Sequence, residues 1–252
     1  MRLVRRLSLS LWLGALALPA QAQTLTCAAP PFDDPPEVAT IVDQLRPALD
    51  RWPSLHVALF RDARELCVAD TLHDARGYFE PRSSRLVIAT DMAPALQKAV
   101  LIHELRHLEQ KFHGSCPEPN LSMKENARAI FAMEADATTY SLAVAWDLRK
   151  AGMPDTWNAL ATWPMQADIA TAFEAEMGRS GDLISAASAA FTQWYAKDER
   201  RELYYLASCS DYLESRDRDH RMLSYDRLSS GFFNALCRLP DGEAYPCAES
   251  GG

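Results

Sequence analysis

The sequence predicts an α+β fold, with a small meander of short strands packed on one helix and a mainly helical C-terminal half. Three observations carry this prediction. Between Leu55 and Thr90 the apolar residues come in short, partly alternating runs broken by turn residues, as strands require. From Met92 to Lys150 they recur at three- and four-residue intervals, as amphipathic helices require. From Asp155 to about Ala235 the chain is rich in Ala, Leu and aromatic residues and reads as helical segments separated by Gly178, Gly181 and polar runs.

The first 22 residues stand apart from the rest. Arg2, Arg5 and Arg6 precede an apolar stretch from Leu7 to Pro19, and Ala20-Gln21-Ala22 forms an A-x-A cleavage signal. This is the pattern of a secretory signal peptide, with cleavage expected after Ala22. The apolar stretch, at roughly 13 residues, is short of the ~20 that a membrane span needs. No later segment is long and apolar enough either, so no membrane insertion is expected after cleavage. Residues 23–252 are expected to form a single periplasmic or secreted domain, with a core over 55–152 and a helical part over 153–252.

Charge and cysteine content narrow the class further. The chain carries a net charge of −8, and loss of the three signal arginines lowers it to −11. Such a surface repels nucleic acid and anionic lipid, so neither is an expected partner. All six cysteines (Cys27, Cys67, Cys116, Cys209, Cys237 and Cys247) follow the signal segment, and an even number in an exported chain predicts three disulfides. Cys237 with Cys247, across Leu239-Pro240-Asp241-Gly242, is the expected local bridge. The absence of any C-x-x-C spacing argues against a cysteine metal site. Cys27 lacks the small-residue context of a lipid-attachment site.

Taken in order, residues 27–36 read as an extended arm and Glu37 to about Asp50 as a helix that Pro47 is expected to end or kink. Strands are expected at Leu55–Phe60, Leu66–Ala69, Gly77–Glu80 and Arg85–Thr90, the last two joined by a turn at Pro81-Arg82-Ser83-Ser84. Asp91 is the expected cap of a helix running from Met92 to Phe112 and ending before Gly114. Ser122-Met123-Lys124-Glu125 is an S-x-x-E capping box that opens a second long helix, stopped near Lys150 by Gly152 and Pro154.

The first of these long helices carries His103-Glu104-Leu105-Arg106-His107, an H-E-x-x-H motif. Positions i and i+4 share a helix face, so both imidazoles can reach one metal ion. Glu104 lies about 100° further round, where it can meet a water bound to that ion. A catalytic zinc site has three protein ligands and one open position. His113, six residues after His107, has the spacing of the H-E-x-x-H-x-x-G-x-x-H pattern. That pattern needs a glycine where this chain has Gln110, which prolongs the helix instead. Glu134, 27 residues after His107 on the second long helix, is the preferred third ligand.

These two motifs resemble the zincin metallopeptidases, specifically their gluzincin branch, in which a glutamate from a second helix joins the histidine pair. His103 to His107 together with Met133-Glu134-Ala135-Asp136-Ala137 also resemble an uncharacterised metallopeptidase domain of bacterial exported and cytosolic proteins, over roughly Leu55 to Gly152. The resemblance implies a zincin-like fold and a Zn²⁺ peptidase in which His103, His107 and Glu134 hold the ion and Glu104 is the general base. The chain departs from the gluzincins in one respect. Where they place an Asp four residues after the glutamate, to hold a zinc histidine, this chain has Thr138, and Asp136 turns about 200° from Glu134. Asp136 is therefore expected to order another element or to pair with Arg128 or an arginine elsewhere, and Arg106 to serve as an ion pair or solvated residue. The oxyanion donor is sought among Tyr140, Tyr204, Tyr205, Tyr212, Tyr225 and His220. A peptide or protein is the expected substrate. The alternatives are a catalytically silent zincin-fold binding or scaffold protein of the cell envelope and, behind it, a hydrolase of a non-peptide amide.

Overall fold

Four short strands form one mixed sheet in the computed structural model, which describes residues 24–73, 75–229 and 231–249. The expected signal segment lies outside them. The strands are β1 (Thr26–Ala28), β2 (Glu65–Ala69), β3 (Gly77–Glu80) and β4 (Arg85–Ala89), in the spatial order β1-β2-β4-β3. β3 and β4 form the expected antiparallel hairpin, but β2 runs parallel to β4, so the sheet is not a meander. β1 comes from the N-terminal arm and lies antiparallel to β2, with Cys27 opposite Cys67. These two cysteines form a disulfide.

The segment Leu55–Phe60 is not a strand. Helix α2 (Pro53–Val57) leads into a π-helical turn over Ala58–Asp62. Pro53 starts it with a backbone angle already suited to a helix. Its buried residues, Leu55, Ala58 and Leu59, recur at the helical intervals of three and four. The sheet position beside β2 is filled by β1 instead. Helix α1 (Pro36–Arg51) runs through Pro47 without stopping and buries Val38, Ile41, Val42, Leu45 and Leu49.

Helix α3 (Pro94–Phe112) begins at a proline rather than at Asp91, which pairs with Arg76 instead. The side chain of Gln97 folds back to donate to the carbonyls of Thr90 and Met92, which fixes the entry of the chain into α3. Helix α4 (Met123–Lys150) has half of the expected capping box. Ser122 Oγ accepts from the Glu125 N–H at 3.3 Å, whereas the Glu125 carboxylate takes the Leu228 N–H and Arg128. The C-terminal half is helical, with α5 (Asp155–Thr162), α6 (Ala167–Ser180), α7 (Leu183–Trp194), α8 (Asp198–Arg218) and the short α9 (Phe232–Ala235).

Two apolar cores result. The first joins α1, α2 and the sheet to α3, and the second joins α5, α6, α7 and the tail to one side of α4. α4 serves both: Tyr140, Val144 and Leu148 enter the first core, while Ala135, Leu142 and Ala145 enter the second. Among the described residues two disulfides form rather than three, Cys27–Cys67 and the expected Cys237–Cys247. Cys116, in the loop after α3, and Cys209, on α8, are free thiols on separate elements.

Candidate metal site

The sheet and the first core hold α3 so that His103 and His107 face α4. Both histidines lie one helical turn apart on one side of α3, and Leu101, Leu105 and Leu108 bury its other side. Across from them, α4 presents Glu134. Three donor atoms converge. His103 Nε2 is 3.1 Å from His107 Nε2, and the Glu134 oxygens are 3.3 Å from His103 Nε2 and 3.2 Å from His107 Nε2. Ligands placed tetrahedrally about one ion at ~2.05 Å stand about 3.3 Å apart. The donor set therefore fits a metal ion in both chemistry and spacing. Two imidazole nitrogens directed at each other across 3.1 Å need a cation or a proton between them. His113 ends α3 on the protein surface and does not belong to this cluster.

Glu104 is buried beside the three converging donors, with its carboxylate against the backbone N–H of Phe79. Burial pushes its pKa above the usual carboxylate range, against the opposing pull of the two histidines. Phe79 belongs to β3, which is an edge of the sheet, so the edge strand and the general-base candidate meet at one place. Helix α8 closes the other side. Tyr204, one of six donor candidates, is buried beside Glu134 and lies in the field of Glu104, and these carboxylates together with burial push its pKa well above the usual tyrosine value. Tyr205 and Tyr225 are exposed, Tyr212 donates to the Leu121 carbonyl, Tyr140 is engaged with Glu109, and His220 is on the surface.

Behind the histidines lies a buried polar network, in which Asp136 pairs with an arginine as expected, with Arg106 rather than Arg128, which holds Glu125 and Glu249. His107 Nδ1 meets Gln110 Oε1 at 2.8 Å, and Gln110 Nε2 donates to Asp136 Oδ2 at 2.8 Å and to the Met133 carbonyl at 3.0 Å. Asp136 Oδ2 also accepts from Arg106 Nε at 2.7 Å, and Arg106 donates to Glu109 at 3.0 Å. Gln110 thus bridges Asp136 to His107, standing in for the carboxylate that gluzincins place four residues after the glutamate. The available signal was its spacing: a residue three after His107 lies beside it on the helix. His103 Nδ1, by contrast, is buried with no partner among the described residues.

The electrostatics follow from burial among opposite charges. For Arg106, burial works against the charge, but Asp136 and Glu109 outweigh it and hold the guanidinium protonated. For His107, burial lowers the pKa, but the Glu134 carboxylate more than offsets this and raises it to about 9. In the metal-free protein this pair stabilises the fold fully below the ordinary histidine value of ~6.5, and the contribution fades as pH rises through about 9. An incoming metal must displace that proton. Metal affinity is therefore expected to rise about tenfold per pH unit from pH 7 and to flatten above about 9, with one proton released per ion. Calorimetry in buffers of different ionisation enthalpy measures this release.

No curated protein and no solved structure matches the chain. The model of one family, described as the Putative metallopeptidase family (DUF6782), matches residues 19–247. That match covers the sheet, α3 and α4 with their three converging donors, α8 and the tail, and the chain belongs to this metallopeptidase family.

Proposed function

We propose that the protein is an exported zinc-dependent peptidase. The convergence of His103, His107 and Glu134 with a buried Glu104 beside them carries this reading. A purely structural site has no use for a general base. When bound, Zn²⁺ would polarise the scissile carbonyl and acidify the attacking water. His103, His107 and Glu134 would hold it, with Gln110 fixing the orientation of the His107 ring. Glu104 would take a proton from that water as its oxygen bonds the carbonyl carbon, then pass it to the departing amine nitrogen as the C–N bond breaks. Its elevated pKa suits it to both transfers. The Tyr204 hydroxyl, beside Glu134, is the donor best placed for the developing oxyanion. An extended peptide would add to the edge strand β3. Export follows from the signal pattern of residues 1–22, and the two disulfides suit an oxidising compartment.

One observation favours a second reading. The three ligand side chains are only 12–17 % exposed, beneath Tyr204 of α8, as in a silent scaffold protein whose site is closed. Incubating the mature protein with a mixed peptide library, with and without chelator, separates the two. Chelator-sensitive cleavage supports the peptidase, and bound metal without cleavage supports the scaffold. Metal analysis tests the ligands: Glu134→Ala should lose bound Zn²⁺ at micromolar concentrations, whereas His113→Ala should retain it. The opposite pattern would make His113 the third ligand.

A further inference from the structure

The tail beyond α9 closes on itself and on the metal site at once. Cys237 and Cys247, with Cα atoms 6.1 Å apart, bridge a small hairpin in which Leu239 N–H donates to the Glu243 carbonyl and Tyr245 N–H to the Cys237 carbonyl. Two atoms leave this hairpin for the buried network. The Tyr245 hydroxyl donates to Asp136 Oδ1 at 2.6 Å. The Pro240 carbonyl accepts from Ser54 Oγ at 2.7 Å, and Ser54 in turn meets the Tyr140 hydroxyl, which donates to Glu109. One disulfide-closed loop therefore touches the Asp136 end of the Asp136–Arg106–Glu109 network directly and reaches the Glu109 end through Ser54 and Tyr140.

Asp136 Oδ2 is occupied by Gln110 and Arg106, and Tyr245 is the partner found for Oδ1. Asp136 is fully buried, so no solvent can replace that hydroxyl. Without it the carboxylate is held through Oδ2 alone, one of the two acceptors of Gln110 is less firmly placed, and the support of the His107 ring is loosened.

Resting on the metal-site reading above, we propose that Tyr245 is a positioning residue of that site and that the Cys237–Cys247 disulfide is what seats it. The full-affinity site then exists only in the oxidised protein. In forming the bridge, the two thiols give up two protons and two electrons to a disulfide-class oxidant, which is reduced to its dithiol. A chain still in a reducing compartment would hold metal weakly and gain its site after export.

The test measures Co²⁺ affinity and the visible absorption of the bound ion. In the full-length mature protein, Tyr245→Phe keeps the ring and removes only the hydroxyl. It should weaken Co²⁺ binding about tenfold, as removal of a supporting partner does, and shift the absorption bands. In a Cys27→Ala/Cys67→Ala background a phosphine reductant acts on the tail bridge alone. There the reductant should weaken Co²⁺ binding about tenfold, and adding Tyr245→Phe should abolish the reductant's effect. Wild-type affinity and spectrum in Tyr245→Phe would overturn the proposal. So would a reductant without effect, or one with equal effect in the Tyr245→Phe background. Failure of the oxidised wild-type protein to bind Co²⁺ would overturn the metal-site reading itself, and this inference with it.

Discussion

Glu104→Gln should bind metal with wild-type stoichiometry and cleave its peptide substrates about 10²- to 10⁴-fold more slowly, the range a general acid–base supplies. The substitution is nearly isosteric. The Gln amide oxygen can still accept from the Phe79 N–H, so the helix and the edge strand keep their contact. Glu104 is outside the three converging donors, so the ion is unaffected. What is lost is a basic oxygen able to carry a proton. Single-turnover cleavage with matched metal content measures the change. A Glu104→Gln protein as active as wild type would end the peptidase mechanism proposed above.

Arg106→Leu should be the most destabilising single substitution in the network. Arg106, Asp136 and Glu109 are all buried, and the arginine is their shared cation. Removing it leaves two buried carboxylates without a cation, held by Gln110, Tyr245 and Tyr140 alone. Breaking a buried pair in this way costs roughly 3–5 kcal/mol. At ~2–4 °C per kcal/mol for a chain of this size, Tm should fall by about 6–20 °C in calorimetry. The exposed Arg46–Asp43 pair provides a control, and Arg46→Ala should leave Tm unchanged. If both variants shift Tm alike, the network is not the structural support described here.

The parts of this architecture that could be read from the sequence are those that repeat or cap. Helices α3 and α4 show as apolar periodicity ended by Gly114 and bounded by Ser122 and Gly152, and His103, His107 and Glu134 lie on them; the start of α3 is displaced from Asp91 to Pro94. The parts that could not be read depend on pairing across the chain. Leu55–Phe60 is short and apolar and suits a strand or a buried helical turn equally, and the choice was made by β1 taking its place beside β2. The parallel alignment of β2 with β4 leaves no local mark. Gln110 was noticed only as the residue that stands where another family needs glycine, because its role depends on Asp136, a partner 26 residues away. Tyr245 acts on Asp136 from 109 residues away, so only the folded chain brings them together.

The position of α4 between two apolar cores has a mechanical consequence. Glu134 projects from the helix that both cores share, whereas His103 and His107 project from a helix held mainly by the first core. An ion gripped by all three would act as a rivet between α3 and α4, so that parting these two helices must first break a coordinate bond. The energy of holding the ion would then also be energy of cohesion between them. Filling the site would bring a molecule with two separable cores closer to melting as one unit.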